Sequence, residues 1–351
     1  MELNNIAFAV FIIFFSYLLN KYLLSYFYKS KSNYLIDNDY NKPQAFHKNS
    51  TYRLGGITIF STISLAFLFL TFSENIYFSE YSTFCTLFFI LGLLDDIKIN
   101  LSPKFRLGAM ISILLVLIIY NGLYIEKSGL EFLDYLLRID IFSIIFVTLC
   151  FLFIINGANL IDGFNGLLSI HSIIILSILL IINLINENIE ISYILFFIIL
   201  SVLIFTKFNF PKAQIFLGDS GAYLLGAVIA ISVIKTSIIN PSISPFFFCV
   251  LLIYLFFEVF FSFFRKIFHA RQSPLLPDNK HLHMNLYKFL LKKNKSELIS
   301  NYKVSIYINI LYFLLIIPSI IFMHEGLFCR YYFFALMAIY IYFYKLLKKN
   351  I

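Results

Sequence analysis

The chain contains no tryptophan, and only 13% of its 351 residues are charged. A soluble domain of this length needs far more polar surface. So little charge, beside 60% hydrophobic residues, argues for an integral membrane protein. Cysteine is also scarce: Cys85, Cys150, Cys249 and Cys329 lie in or beside apolar runs without paired spacing, which supports neither a disulfide framework nor a zinc site. Without Trp, any interfacial aromatic belt falls to Tyr and Phe. The first apolar segment lacks a small-residue cleavage site and is too long for a signal-peptide core, so it is expected to remain as a span. Neither an internal repeat nor a domain boundary is visible.

What is present in quantity is apolar sequence. A membrane-crossing helix needs about 20 mostly apolar residues. Eleven stretches qualify, at roughly 4–28, 55–72, 78–95, 105–122, 141–160, 167–186, 191–206, 217–236, 246–266, 304–323 and 331–347. Those near 55 and 191 are short or polar at one end, so ten spans is the alternative count. The fold class expected is all-α, a polytopic helical membrane protein forming one domain over 1–351. Numbering the loops alternately puts nearly all of the 27 Lys and Arg on one side; the other side holds only Lys127, Arg138, Lys235 and Arg330. The positive-inside rule makes the rich side cytoplasmic and the N-terminus external.

The same parity gathers five polar stretches on that side, 29–54, 95–106, 156–166, 207–217 and 265–303, which are expected to form an active site. An aspartate at mid-bilayer costs about 2.5–3.5 kcal/mol, so acids bordering spans are functional suspects. Asp95 and Asp96 close the third span. Adjacent acids repel, and a helix C-terminus disfavours negative charge, so a plain structural end would more readily carry lysine. Lys104 and Arg106 follow, donors suited to phosphate. In Asn156-Gly-Ala-Asn159-Leu-Ile-Asp162-Gly-Phe-Asn165-Gly166, polar residues recur every three positions, which in a helix places Asn156, Asn159 and Asp162 along one side. The glycines there let a ligand or another backbone approach closely; the alternative is an ordinary Asn/Asp/Gly turn.

Asp219, between Gly218 and Ser220, offers a hard oxygen ligand at a helix N-terminus, where N–H groups suit a metal-bound diphosphate; alone it reads equally as an N-cap. In the last loop, Arg271, Lys280, His281 and His283 could hold phosphates or sugar, the two histidines pointing the same way if the segment is extended. A solvated loop is the bland reading. Gly55-Gly56 simply eases helix packing unless further support appears.

Taken in order, Arg-Leu-Gly-Gly, Asp-Asp with a following Lys-x-Arg, Asn-x-x-Asn-x-x-Asp-Gly-x-x-Gly-Leu, Gly-Asp-Ser-Gly and Ser-Pro-x-x-Pro-Asp-x-x-His-x-His make the chain resemble the bacterial polyprenyl-phosphate N-acetylhexosamine-1-phosphate transferases over roughly residues 40–290. This glycosyltransferase family includes initiators of O-antigen, enterobacterial common antigen and teichoic-acid linkage synthesis, with the muramyl-pentapeptide translocase as a cousin. The resemblance implies an enzyme that moves an N-acetylated amino-sugar 1-phosphate from a UDP-sugar to undecaprenyl phosphate and releases UMP. Asp219 and Asn159 would hold Mg²⁺ or Mn²⁺; Asp95, Asp96 and Asp162 would be catalytic. Lys104 would take the lipid phosphate, and Arg106, Asn156, Asn165, Arg271, His281 and His283 would bind substrate. Membrane lipid and a second copy of the chain are the other partners; nucleic acid is not. Two departures stand out: Asn165 replaces an Asp of some relatives, and Met284 replaces a further histidine. The peptide-substrate cousins carry a triple histidine, which argues against a peptidoglycan role here.

A phosphate monoester has a second pKa of about 6, so a lipid phosphate is largely dianionic near neutral pH. Single displacement with Asp95 or Asp96 positioning it is favoured over a covalent phosphoryl-Asp162 intermediate. A transporter is the rival class, because intramembrane acids also mark ion paths; it predicts repeats and mid-membrane sites, and the acids here border one interface.

Overall fold

The computed structural model describes residues 3–30, 34–37, 50–74, 76–99, 101–270, 273 and 278–351. Fourteen α-helices are present among them: α1 Leu3–Ser30, α2 Gly55–Glu74, α3 Ser79–Asp96, α4 Pro103–Asn121, α5 Glu131–Leu137, α6 Asp140–Ile161, α7 Leu167–Ile185, α8 Ile189–Asn209, α9 Gly218–Ile239, α10 Pro245–Leu251, α11 Ile253–Phe264, α12 Leu282–Asn294, α13 Glu297–Ile321 and α14 Gly326–Asn350. Nine are long and apolar enough to cross a membrane, and α10 with α11 passes the same test only as a pair bent by 75°, the form of a broken span or a re-entrant loop. The remaining candidate, α3, carries Glu80, Asp95 and Asp96. It nevertheless runs antiparallel along α9: Tyr81 Oη donates to Ser232 Oγ at 3.3 Å, and Asp96 meets the backbone of Asp219. The thirteen residues between those α9 positions rise about 20 Å, so α3 crosses with it. The protein is thus a multi-pass helical membrane protein, and all eleven expected stretches are helical.

Sequence explains which helices are central. α9 is apolar on every side and buried along almost its whole length, as such a helix must be. It packs against α2, α3, α6 and α7. α1 instead leaves Val10, Phe14 and Leu18 exposed, as a lipid-facing helix does. Three features depart from the expectation. The stretch 246–266 is not one straight span but breaks at Leu252. The loop 265–303 contains helix α12 and a π-helical turn, Arg265–Ala270. A three-stranded sheet also ties distant loops together: β1 (Ile36–Asp37) pairs antiparallel with β2 (Thr51–Arg53), which pairs parallel with β3 (Ile215–Phe216). The register Arg53↔Phe216 carries Arg53 to the threshold of α9. All four cysteines are free.

Candidate active site

The ends of α3, α6 and α9 meet at one end of the bundle, and Asp96 makes the joint. Its carboxylate, 1% exposed, accepts from Asp219 N at 3.0 Å, Ser220 N at 2.9 Å and Ser220 Oγ at 2.6 Å. Arg53 Nη1 adds a contact at 3.4 Å. Asp96 therefore caps the first turn of α9 from a neighbouring helix, satisfying N–H groups for which the N-cap residue, Leu217, has no side-chain acceptor. Gly218 makes this fit: its φ is +79°, and an added Cβ would sit 2.6 Å from Asp96 Oδ2. Close packing further down needs Gly92, where a Cβ would collide with the Asp219 carbonyl. Of the amides at the N-terminus of α9 expected to suit a diphosphate, Asp96 takes those of Asp219 and Ser220.

The two adjacent acids thus part company. Asp95 turns to Arg106 Nη1 at 2.8 Å. Asp219 has a more open side chain and approaches Arg53 Nη1 at 3.9 Å. Arg53 also donates to Asp37 Oδ2 from Nε at 3.1 Å and Nη2 at 2.7 Å. Burial opposes its charge, but Asp37, Asp219 and Asp96 outweigh that and raise its pKa. Asp162 follows the last turn of α6. Burial pushes its carboxyl up to about 8, Asp219 and Asp96 push the same way, and Arg53 opposes them.

Asn156 and Asn159 lie on α6 three residues apart, as expected, with Asp162 at its C-cap. Their surroundings differ. Asn159 Nδ2 donates to Tyr223 Oη at 3.3 Å, which orients the amide and leaves its oxygen available to a ligand. Asn156 Nδ2 donates back to Leu152 O at 2.8 Å. The glycine before Asn159's turn serves packing, since a Cβ on Gly157 would meet the backbone of Leu255. Asn165 is drawn elsewhere: its backbone N donates to Asn301 Oδ1 at 2.9 Å, and its Nδ2 donates to Pro211 O at 2.9 Å. Lys104 is exposed on the first turn of α4. Arg271 lies outside the described residues.

The histidines are not on an open extended loop. His281 is the N-cap of α12 and His283 lies in its first turn; they are 2% and 0% exposed. Their rings stack with centroids 5.4 Å apart and planes within 8°. Both turn Nδ1 to Glu258 of α11, His281 at 2.8 Å from Oε2 and His283 at 3.5 Å from Oε1. Tyr254 Oη is 3.2 Å from His283 Nδ1, and the edge of Phe164, in the turn after Asp162, lies 5.7 Å from the His283 ring. Burial lowers the pKa of His283 against the pull of Glu258. Glu258 escaped the sequence reading although the signal existed, a lone carboxylate within a phenylalanine-rich span. Asp37 and Tyr223 had no comparable signal, and Arg53 had only its place in a motif.

A divalent cation fits this donor set. Asp37, Asp95, Asp96 and Asp219 outnumber Arg53 and Arg106, and the raised carboxyl of Asp162, chiefly an effect of burial, is pushed the same way by Asp219 and Asp96. Among the described residues no three His, Cys, Asp or Glu side chains converge as a closed metal cage. Mg²⁺ does not need one: it is commonly held by one or two carboxylates, several waters and substrate phosphates. Asp219, with the oxygen of Asn159, would hold it.

Residues 78–237 match the family model of glycosyl transferase family 4. The chain is 35% identical over 247 residues to a phospho-N-acetylmuramoyl-pentapeptide-transferase of Dictyoglomus turgidum, covering 68% of this chain and 75% of that one. It is 29% identical over 260 residues to a probable undecaprenyl-phosphate N-acetylglucosaminyl 1-phosphate transferase of Bacillus subtilis, covering 72% and 70%. An undecaprenyl-phosphate alpha-N-acetylglucosaminyl 1-phosphate transferase of Thermotoga maritima is 29% identical over 237 residues, 68% of each chain.

Proposed function

The chain belongs to glycosyl transferase family 4 as a polyprenyl-phosphate sugar-phosphate transferase, and from that premise we propose that its donor is a UDP-N-acetylated amino sugar and its acceptor undecaprenyl phosphate. The observation that carries this is the meeting of Asp95, Asp162 and Asp219 with Arg53 and Arg106 at one end of the bundle. That end faces the cytoplasm of the inner membrane in this reading, because it gathers the basic loops.

A lipid-phosphate oxygen attacks the β-phosphorus of the UDP-sugar; the bond from that phosphorus to the bridging oxygen breaks, and UMP leaves with the electron pair. Mg²⁺, when bound, would neutralise the diphosphate and polarise its phosphorus. The chain's own groups do the rest. Asp96 fixes the first turn of α9 and so the position of Asp219. Asp95 orients Arg106 toward the incoming phosphates, and Lys104, on the same first turn of α4, draws the lipid phosphate. Asp162 borders the reacting centre as a carboxyl whose proton is held near neutral pH. Asn165 belongs to the scaffold of the adjacent turn rather than to substrate.

A second reading concerns the donor alone. The 35% identity to a muramoyl-pentapeptide transferase favours a UDP-N-acetylmuramoyl-peptide, while the lone His-x-His favours a donor without peptide. Membranes containing the protein, incubated with undecaprenyl phosphate and each of UDP-N-acetylglucosamine, UDP-N-acetylgalactosamine and UDP-N-acetylmuramoyl-pentapeptide, test both. UMP release that requires the lipid phosphate and a divalent cation is expected. Substrate uptake without UMP would instead identify a transporter.

A further inference from the structure

We propose that Glu258 is a positioning residue for the donor substrate: it clamps Nδ1 of both His281 and His283 so that the paired imidazoles present Nε2 to the UDP-sugar. This rests on the reading of the donor given above. The clamp is built from the bend between α10 and α11. That 75° bend brings Glu258 beside the start of α12, where Oε1 also accepts from Leu282 N at 3.2 Å. One carboxylate thus caps the helix and holds two rings, and all three side chains are almost completely buried.

A purely structural cluster would satisfy its own polar atoms. This one does not: Nε2 of His281 and Nε2 of His283 are both buried without a hydrogen-bond partner. Leaving a buried polar group unpaired costs about 1–3 kcal/mol, and such groups call for an explanation. Asp278 Oδ1 stands 3.4 Å from His281 Nε2 but is engaged by Arg265 Nη2, 2.8 Å from its other oxygen, and by Lys280 N at 3.2 Å. Parallel rings anchored at the same carboxylate set the two unpaired nitrogens side by side. The edge contact with Phe164 sets them against the turn that follows Asp162.

The chemistry of the ligand atom follows from the anchor. His283 Nδ1 lies between Tyr254 Oη at 3.2 Å and Glu258 Oε1 at 3.5 Å, and with its proton directed to that carboxylate the neutral ring offers a lone pair at Nε2, whereas on His281 the Asp278 carboxylate favours a proton on Nε2. The complement of the His283 lone pair is an O–H or N–H donor, which a sugar hydroxyl, an N-acetyl amide or a uracil ring supplies and a dianionic phosphate does not. A carboxylate fixing the tautomer of a ligand-binding histidine acts in the same way at metal sites, where its loss costs about 10–100-fold.

Glu258→Gln tests the assignment, because an amide can accept from one ring but must donate to the other, moving that ring's proton to Nε2. Binding of UDP-N-acetylglucosamine by calorimetry and turnover are measured on the purified full-length protein, with UDP as a competitor. The expected result is a donor Kd and KM about 10–100-fold higher, an undecaprenyl phosphate KM unchanged, and no additional effect of Glu258→Gln in a His281→Gln/His283→Gln background. Weaker UDP competition alongside would assign the contact to the uracil; unchanged competition would assign it to the sugar. Should Glu258→Gln not fold, Glu258→Asp, which keeps the charge on a shorter arm, is expected to raise donor KM alone. An unchanged donor Kd in a variant that folds, or equal rises in both KM values, would overturn the inference while leaving the transfer reading intact. Wild-type protein that binds the donor without releasing UMP, with binding still lost in Glu258→Gln, would do the reverse. Wild-type protein that binds neither UDP-N-acetylglucosamine nor UDP-N-acetylgalactosamine nor UDP-N-acetylmuramoyl-pentapeptide would overturn both.

Discussion

At the scale of single residues, two carboxylates only one position apart do different work. Asp96 spends its oxygens on α9, so Asp96→Ala removes a cap and should lower stability by about 1–2 kcal/mol as well as turnover. Thermal unfolding in detergent checks this, and a stable but inactive variant would instead make Asp96 purely chemical. Asp219 is the more open acid, and Asp219→Ala should abolish divalent-cation-dependent UMP release; a normal rate would remove it from the proposed metal site. Asp162 allows a signed pH prediction. Its carboxyl, near 3.8 in the unfolded chain, rises to about 8 in the fold, so the folded state holds a proton that the unfolded chain has lost between those values. The stability it contributes is complete below about 4 and lost as pH climbs through 8. In cation-free buffer, Asp162→Asn should therefore raise the unfolding temperature more at pH 8 than at pH 5. A gain independent of pH would show that this carboxyl is not the one burdened.

At the scale of elements, both buried acids solve one problem in one way. Asp96 caps α9 and Glu258 caps α12, each from a neighbouring membrane helix, so charge inside the bundle is balanced by helix N-termini. Close approach is what permits it. Gly92→Ala would force α3 away from α9 at Asp219, and because a displacement of about 1 Å can cost 10²-fold, turnover should fall on that order while the protein still inserts. Measuring kcat beside expression separates the two effects. Much at this scale was legible beforehand. Long apolar runs announced all the spans, and alternating loop charge put Asp95, Asp96, Asp162 and Asp219 together. The break at Leu252 was not legible, because an apolar run looks the same bent or straight. The sheet was invisible because strands of two or three residues carry no pattern. The surroundings of the histidines were not legible because α12 begins inside a polar loop expected to be extended, and it encloses both rings with Glu258, the one acid inside its own apolar run.

At the scale of the whole molecule, a bundle with one buried central helix presents its acids, guanidinium groups and histidine pair around the ends of α3, α6, α9 and α11. That arrangement brings two anionic reactants together only if both phosphates arrive from the same side of the membrane. Cysteine substitutions at Lys104 and Lys280 should therefore be labelled from the cytoplasm, and one at Lys127 from outside; labelling of 104 and 127 from the same side would break the topology. The most direct test of the account follows the phosphorus itself. With UDP-N-acetylglucosamine, or the donor that proves active, labelled at its β-phosphate, and with undecaprenyl phosphate as acceptor, the label should move into the lipid fraction while unlabelled UMP is released. Label recovered in UDP would mean that the sugar moves without its phosphate, and the account of this site would be contradicted.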